Sequence, residues 1–192
     1  QIGLMFTIRS AASSMFYIPA GIISDSTRRQ GPLMIAAILW VGVAGVIASL
    51  VPNYWLFILA LALGTSGSTS WHPLAMAAIV NLMPKKSATA MAIHGIGGTA
   101  SEALGPLTVG FLLAVLSWRH VLLINSLIPI ALAVVIIKII HLRRQKNTTR
   151  LTSTDFKELV KIGKQPAILG LLLAMALYNM SNIAMVTMFP VY

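Results

Sequence analysis

Four ionisable side chains stand inside long apolar stretches: Arg9, His72, His94 and Glu102. At the centre of a bilayer such a group costs at least about 2.5–3.5 kcal/mol, so each one calls for a partner or a use. A carboxyl group within a membrane can carry a proton across it, which makes Glu102 a candidate for proton coupling. Counting 1.5 Å per residue from the basic ends of their segments puts Arg9 and Glu102 at similar depth, roughly 20 Å in. A static ion pair between them, or a Glu102 that only hydrogen-bonds neighbouring hydroxyls, are the other readings. His72 reads as polar and facing a cavity. His94 lies nearer the basic end, where hydration alone would account for it. Towards the end of the chain Tyr178, Asn179, Ser181 and Asn182 form a polar patch. It either lines a pathway or ties helices together.

Other chemistries lack their residues. The chain has no cysteine, hence no disulfide framework, thiolate site or catalytic thiol. There is no Gly-x-x-x-x-Gly-Lys phosphate loop, so direct coupling to ATP within these residues is not supported. Neither a carboxylate pair nor a His-Glu-x-x-His cluster suggests metal catalysis, and no cofactor or metal site is expected. A polytopic membrane enzyme would need acids or histidines clustered at one interface, and an enzyme is not expected.

The elements that position these residues follow from composition. The 192 residues are 57% hydrophobic and 9% charged, with a mean hydropathy of +0.86. A soluble domain carries about 25% charged residues because its surface meets water. Six apolar spans can be read, at roughly 1–24, 33–51, 54–80, 88–116, 119–140 and 166–192. A hydrocarbon core of about 30 Å asks for about 20 apolar residues per helix. Lipid offers no hydrogen bonds, and strict two-residue alternation is absent, so helices are expected rather than a barrel. The fold class is therefore all-α, a polytopic transmembrane bundle. Short separators containing VPN, MPKKS and SWR make successive helices antiparallel neighbours.

The net charge of +10 is distributed unevenly. Arg28, Arg29, Lys85, Lys86, Lys138, Arg143, Arg144, Lys146, Arg150, Lys157, Lys161 and Lys164 fall on one side. Only Arg119 falls on the other. Short loops rich in Lys and Arg stay cytoplasmic, which places the long basic loop there and sends the first span down into the cytoplasm. The basic loop has no interleaved aromatics, so nucleic acid is not expected as a partner. Residues 1–140 form one bundle, 141–165 the loop, and 166–192 the start of another bundle. Within the loop Asp155 and Glu158 have capping-box spacing. Phe156, Leu159, Val160 and Ile162 would make an apolar stripe on a short surface helix; a solvated linker is the equal alternative.

Three local patterns carry more information. Gly21, Asp25, Arg28 and Arg29 cluster at the cytoplasmic end of the first span. The run from His94 to Gly110 contains Gly98, Gly105 and Pro106 around Glu102. Small residues let helices pack closely in lipid, and Pro106 deletes a backbone bond and kinks its helix. Ser70-Trp71-His72-Pro73 precedes that helix by about twenty residues. Together with the five-span, loop, one-span layout, these patterns resemble the major facilitator superfamily, a fold of six plus six helices.

The resemblance implies that the chain covers helices two to seven, with a first helix before it and most of a second half after it. Gln1 and Tyr192 both fall within apolar runs, which reads as truncation at both ends. Gly21, Asp25, Arg28 and Arg29 would form a conformational latch between helices; an ordinary polar turn is the alternative. Ser26 and Arg28 depart from the family's frequent Arg and Gly. Gly98, Gly105, Pro106 and Gly110 are similar to the glycine-proline motif of its antiporters, with Ser101 and Ala92 departing from it. The His-Pro pair is similar to the fosmidomycin-resistance branch, with Leu74 where an acid often stands. Ser117-Trp118-Arg119, leading to Asn125, is similar to the family's start of helix six. The resemblance implies a multi-pass protein of the plasma or inner membrane, monomeric at full length, whose partners are a small-molecule substrate, protons and the lipid bilayer. Its activity would be alternating-access transport, proton-coupled efflux of drug-like or small organic compounds. The alternative is proton symport for uptake of sugars or organic acids.

Overall fold

Apolar residues without a two-residue alternation leave the backbone only one way to satisfy itself in lipid, and the chain takes it. The computed structural model describes residues 2–26, 30–139, 161 and 164–188. Six long helices result: α1 (Ile2–Ser26), α2 (Gln30–Leu50), α3 (Tyr54–Leu82), α4 (Ser87–Leu113), α5 (Trp118–Ile139) and α6 (Pro166–Met188). No strand occurs among the described residues. The shortest, α2, has 21 residues and so spans about 30 Å at 1.5 Å per residue. By unbroken length and hydropathy, Gln30–Leu50 and Trp118–Ile137 stand out as apolar enough to cross a membrane. The helices α1, α3 and α4 are as long, but Ser, Gly, Pro and single ionisable residues dilute them.

Their ends have local causes. Asn53 caps α3: its Oδ1 accepts from the backbone N–H of Trp55 at 2.9 Å and of Leu56 at 3.2 Å. Pro166 opens α6, where a missing N–H costs nothing. Inside α3, partly buried hydroxyls turn back on their own helix. Thr65 donates to Ala62 O, Ser66 to Leu63 O and Ser70 to Ser66 O.

Contacts divide the chain into two compact units, 1–149 and 150–192. In the first, α2 is the hub, packing on α3 and α5, while α1 packs on α3. Small residues set the helix spacing. A Cβ on Gly67 would come within 2.7 Å of Ala37 O and 2.9 Å of Trp40 Cδ1. Gly42 lies against Ile130 and Ser126, and Gly45 against Ser126, too closely for any side chain. Around these approaches Ile35, Ile38 and Ala133 form a buried cluster, flanked by Leu39, Trp71 and Ile136. The Trp40 indole donates to Leu63 O at 2.8 Å and to Ser66 Oγ at 3.1 Å, fastening α2 to α3. By contrast, α4 has no buried residue among those described. In the second unit, the residues of α6 with described side chains are almost all exposed. The expected surface helix at 156–162 lies outside the described residues, Lys161 apart.

Two polar ties close the ends of the first unit. At the end where α1 meets α2, Gln30 is buried; its Nε2 donates to Ser24 O at 3.1 Å, and its Oε1 accepts from Asn81 at 3.5 Å. Ser24, also buried, donates to Pro73 O at 3.4 Å. At the opposite end Arg119 Nη1 donates to Ser49 O at 3.0 Å and Val51 O at 2.9 Å. Its guanidinium lies 4.5 Å from the centre of the Trp118 ring, which meets Phe57 edge-on. One cation thus satisfies carbonyls at the end of α2 that have no helical donor.

Candidate functional site

The site begins on one stripe of α1. Arg9, Ser13, Phe16, Ala20 and Ile23 are spaced so that each lies within about 40° of Arg9 around a 3.6-residue helix, a stripe about 80° wide. Ser13 and Thr69 hydrogen-bond to each other across α1 and α3. Thr69 sits near the middle of α3, about 20 Å from either end of that helix. Arg9, one turn from Ser13, is therefore about 6 Å along α1 from the level of Thr69 at the middle of α3.

Arg9 is half-buried, and its Nε is enclosed without any hydrogen-bond acceptor. It makes no ion pair among the described residues. The one acid in the interior of a described helix is Glu102, on α4; it is exposed, and no hydrogen bond or ion pair joins it to Arg9. Pro106 lacks the N–H that would reach the Glu102 carbonyl four residues back, so α4 has a missing backbone bond at the acid itself.

Below Arg9, a cleft of about 330 Å³ opens between α1, α2 and α3. Phe16, Ala20, Leu33, Ala37, Trp40 and Leu74 are among its walls, with Ser66 and Ser70 as its hydroxyls. Both serines donate to their own helix, and Ser66 also accepts from Trp40, so the lining behaves as apolar. Two turns of α1, about 10 Å, separate Arg9 from Phe16 at the cleft wall.

The remaining residues singled out from sequence are scattered. His72 is exposed and His94 half-buried, and neither is hydrogen-bonded among the described residues. Gly21 is half-buried, and Gly98, Gly105 and Gly110 lie along α4; a Cβ at any of them would meet nothing within 4 Å. The close approaches fall instead at Gly42, Gly45, Gly64 and Gly67. Asp25 is in the last turn of α1, but its side chain, with Arg28 and Arg29, lies outside the described residues. So do the side chains of Asn179 and Asn182, while Tyr178 is exposed on α6. Gln30, Trp40 and the double role of Arg119 escaped sequence reasoning. An amide or indole among apolar residues was the available signal, since each must find a partner when buried.

The Major Facilitator Superfamily family model matches residues 1–192. Over 131 residues, 65% of this chain, the sequence is 26% identical to the "Uncharacterized MFS-type transporter YwoD" of Bacillus subtilis (strain 168). That alignment covers 29% of the relative, so the chain spans less than a third of its length. No solved structure matches. With a family match along its whole length and an all-helical bundle beneath it, the chain belongs to the Major Facilitator Superfamily and is an integral membrane protein.

Proposed function

We propose that the chain is the front part of a secondary transporter working by alternating access, in which two helical halves rock about a site near the midplane. The observation that carries the coupling is Glu102. It is the one acid in the interior of a described helix, one turn from the backbone break at Pro106. As a proton carrier it would be exchanged against substrate, giving proton-coupled export of small organic compounds. The glycines and proline of α4 support export, and the Trp71-His72-Pro73 run supports a place near the fosmidomycin-resistance branch. The side bearing twelve of the fourteen bases is cytoplasmic in this reading. Gly21, Asp25, Arg28 and Arg29 are the proposed latch, and Tyr178, Asn179 and Asn182 the proposed lining from the second half. Uptake with protons is the second reading, favoured by Arg9 if the cargo is an organic acid.

The test uses the product of the complete gene in proteoliposomes with an internal pH dye, comparing wild type with Glu102→Gln over a panel of candidate compounds. Proton movement driven by compound and abolished in Glu102→Gln is the expected result. Compound-driven proton movement that persists in the variant would remove Glu102 from the coupling path.

A further inference from the structure

We propose that Arg9 and the α1–α2–α3 cleft together form a subsite for an amphipathic organic anion, its carboxylate or phosphate held by Arg9 and its apolar body lying in the cleft. The inference rests on the transporter reading and adds the chemical class of the cargo.

Three observations converge. First, Arg9 is always charged, stands about one turn from the level of Thr69 at the middle of α3, and has an enclosed Nε with no acceptor. Among the described residues Glu102 is the only acid in the interior of a helix, and it is not paired with Arg9. A guanidinium presents a planar fork that fits carboxylate or phosphate in two parallel hydrogen bonds, so an oxyanion answers its charge. Second, the cleft lies on the same stripe of α1, beginning two turns away at Phe16 and continuing through Ala20 and Ile23. Its serines are already committed to backbone carbonyls, leaving walls that suit an alkyl or aryl body. Third, the spacing matches one molecule. Arg9 and Phe16 are separated by about 10 Å of rise along α1, a distance that the long Arg9 side chain and a medium-chain carboxylate span together. A neutral compound would leave the cation unanswered, and a cation would be repelled by it.

The probe is octanoate, with octanamide and octylammonium as its neutral and cationic counterparts. Each is titrated onto the complete gene's product in phosphatidylcholine nanodiscs, reading the unfolding temperature. A ligand that binds only the folded state raises that temperature in proportion to occupancy. Octanoate is expected to raise it, and the amide and amine to leave it unchanged. Arg9→Gln should weaken the octanoate response at least about tenfold, as expected for a lost ionic hydrogen bond. Arg9→Lys should retain part of it. Ala20→Phe, which fills the cleft and keeps Arg9, should weaken it as well.

An equal response to octanoate and octanamide overturns the proposal, as does no response in wild type. So does an octanoate response undiminished in Arg9→Gln, which would make Arg9 the partner of an acid elsewhere in the protein. If Arg9→Gln does not fold, Arg9→Lys and Ala20→Phe decide, and two wild-type-like responses overturn the proposal. Replacing a tenth of the lipid by phosphatidylglycerol separates the sources. Competition with octanoate assigns the subsite to a membrane lipid, and its absence assigns it to soluble cargo. Because binding is read without proton movement, this experiment can fail while the coupling through Glu102 stands, and the reverse.

Discussion

Arg119 shows how much one side chain can do at a helix end. Its donors reach two carbonyls at the end of α2, and its flat face covers Trp118, which in turn meets Phe57 of α3. Three helix ends therefore depend on it. Hydrogen bonds from a charged donor contribute about 1.5–3 kcal/mol, so Arg119→Ala should destabilise the protein by about 2 kcal/mol. Arg119→Lys should recover only part, because an ammonium lacks the planar fork and stacks less well. Chemical denaturation of the purified protein checks both, and a wild-type midpoint for Arg119→Ala would show that the tie is dispensable. At the same scale Asn53→Ala removes the cap of α3 and should cost about 1 kcal/mol in the same assay.

Helices α2 and α3 are held together by absence of side chains rather than by their size. At Gly67 an added methyl would press on Ala37 O, a backbone atom that cannot rotate away, and on the Trp40 ring. Gly67→Ala should therefore destabilise by about 1–3 kcal/mol, the usual cost of overpacking, and loosen the indole's bonds to Leu63 and Ser66. Tryptophan fluorescence and the unfolding midpoint together read this; an unchanged midpoint would mean the helices slide freely. The helices themselves were legible in the sequence. Spans read at 33–51, 54–80, 88–116 and 119–140 end within about three residues of α2, α3, α4 and α5, since lipid demands about twenty residues and Pro, Gly and Lys mark the turns. Which face packs was not legible. In a helix apolar all round, periodicity does not mark an inner side, so glycine alone could not tell Gly67, in tight contact, from Gly98, in open space. For the same reason Arg9 and Glu102 could be placed in depth but not paired, because depth follows from counting residues and pairing from how helices are rotated. The cleft, made by three helices at once, left no trace in any one of them.

For the molecule as a whole, the distribution of charge matters more than its amount. In the proposed reading twelve bases lie on one side against Arg119 on the other, which would set an orientation, since each Lys or Arg left in a short loop resists translocation. The turn at Val51-Pro52-Asn53 carries no base, and the turn between α3 and α4 carries Lys85 and Lys86. These two turns flank the same helix, so they must lie on opposite sides if α3 crosses the membrane. The absence of native cysteine from these residues makes the test direct. In a cysteine-free background, Pro52→Cys should react with a membrane-impermeant maleimide on intact cells, and Lys85→Cys only after permeabilisation. Labelling of both on intact cells would mean that α3 does not cross. The reversed pattern would place the basic loop outside and overturn the charge argument, and with it the cytoplasmic position proposed for the latch candidates Asp25, Arg28 and Arg29.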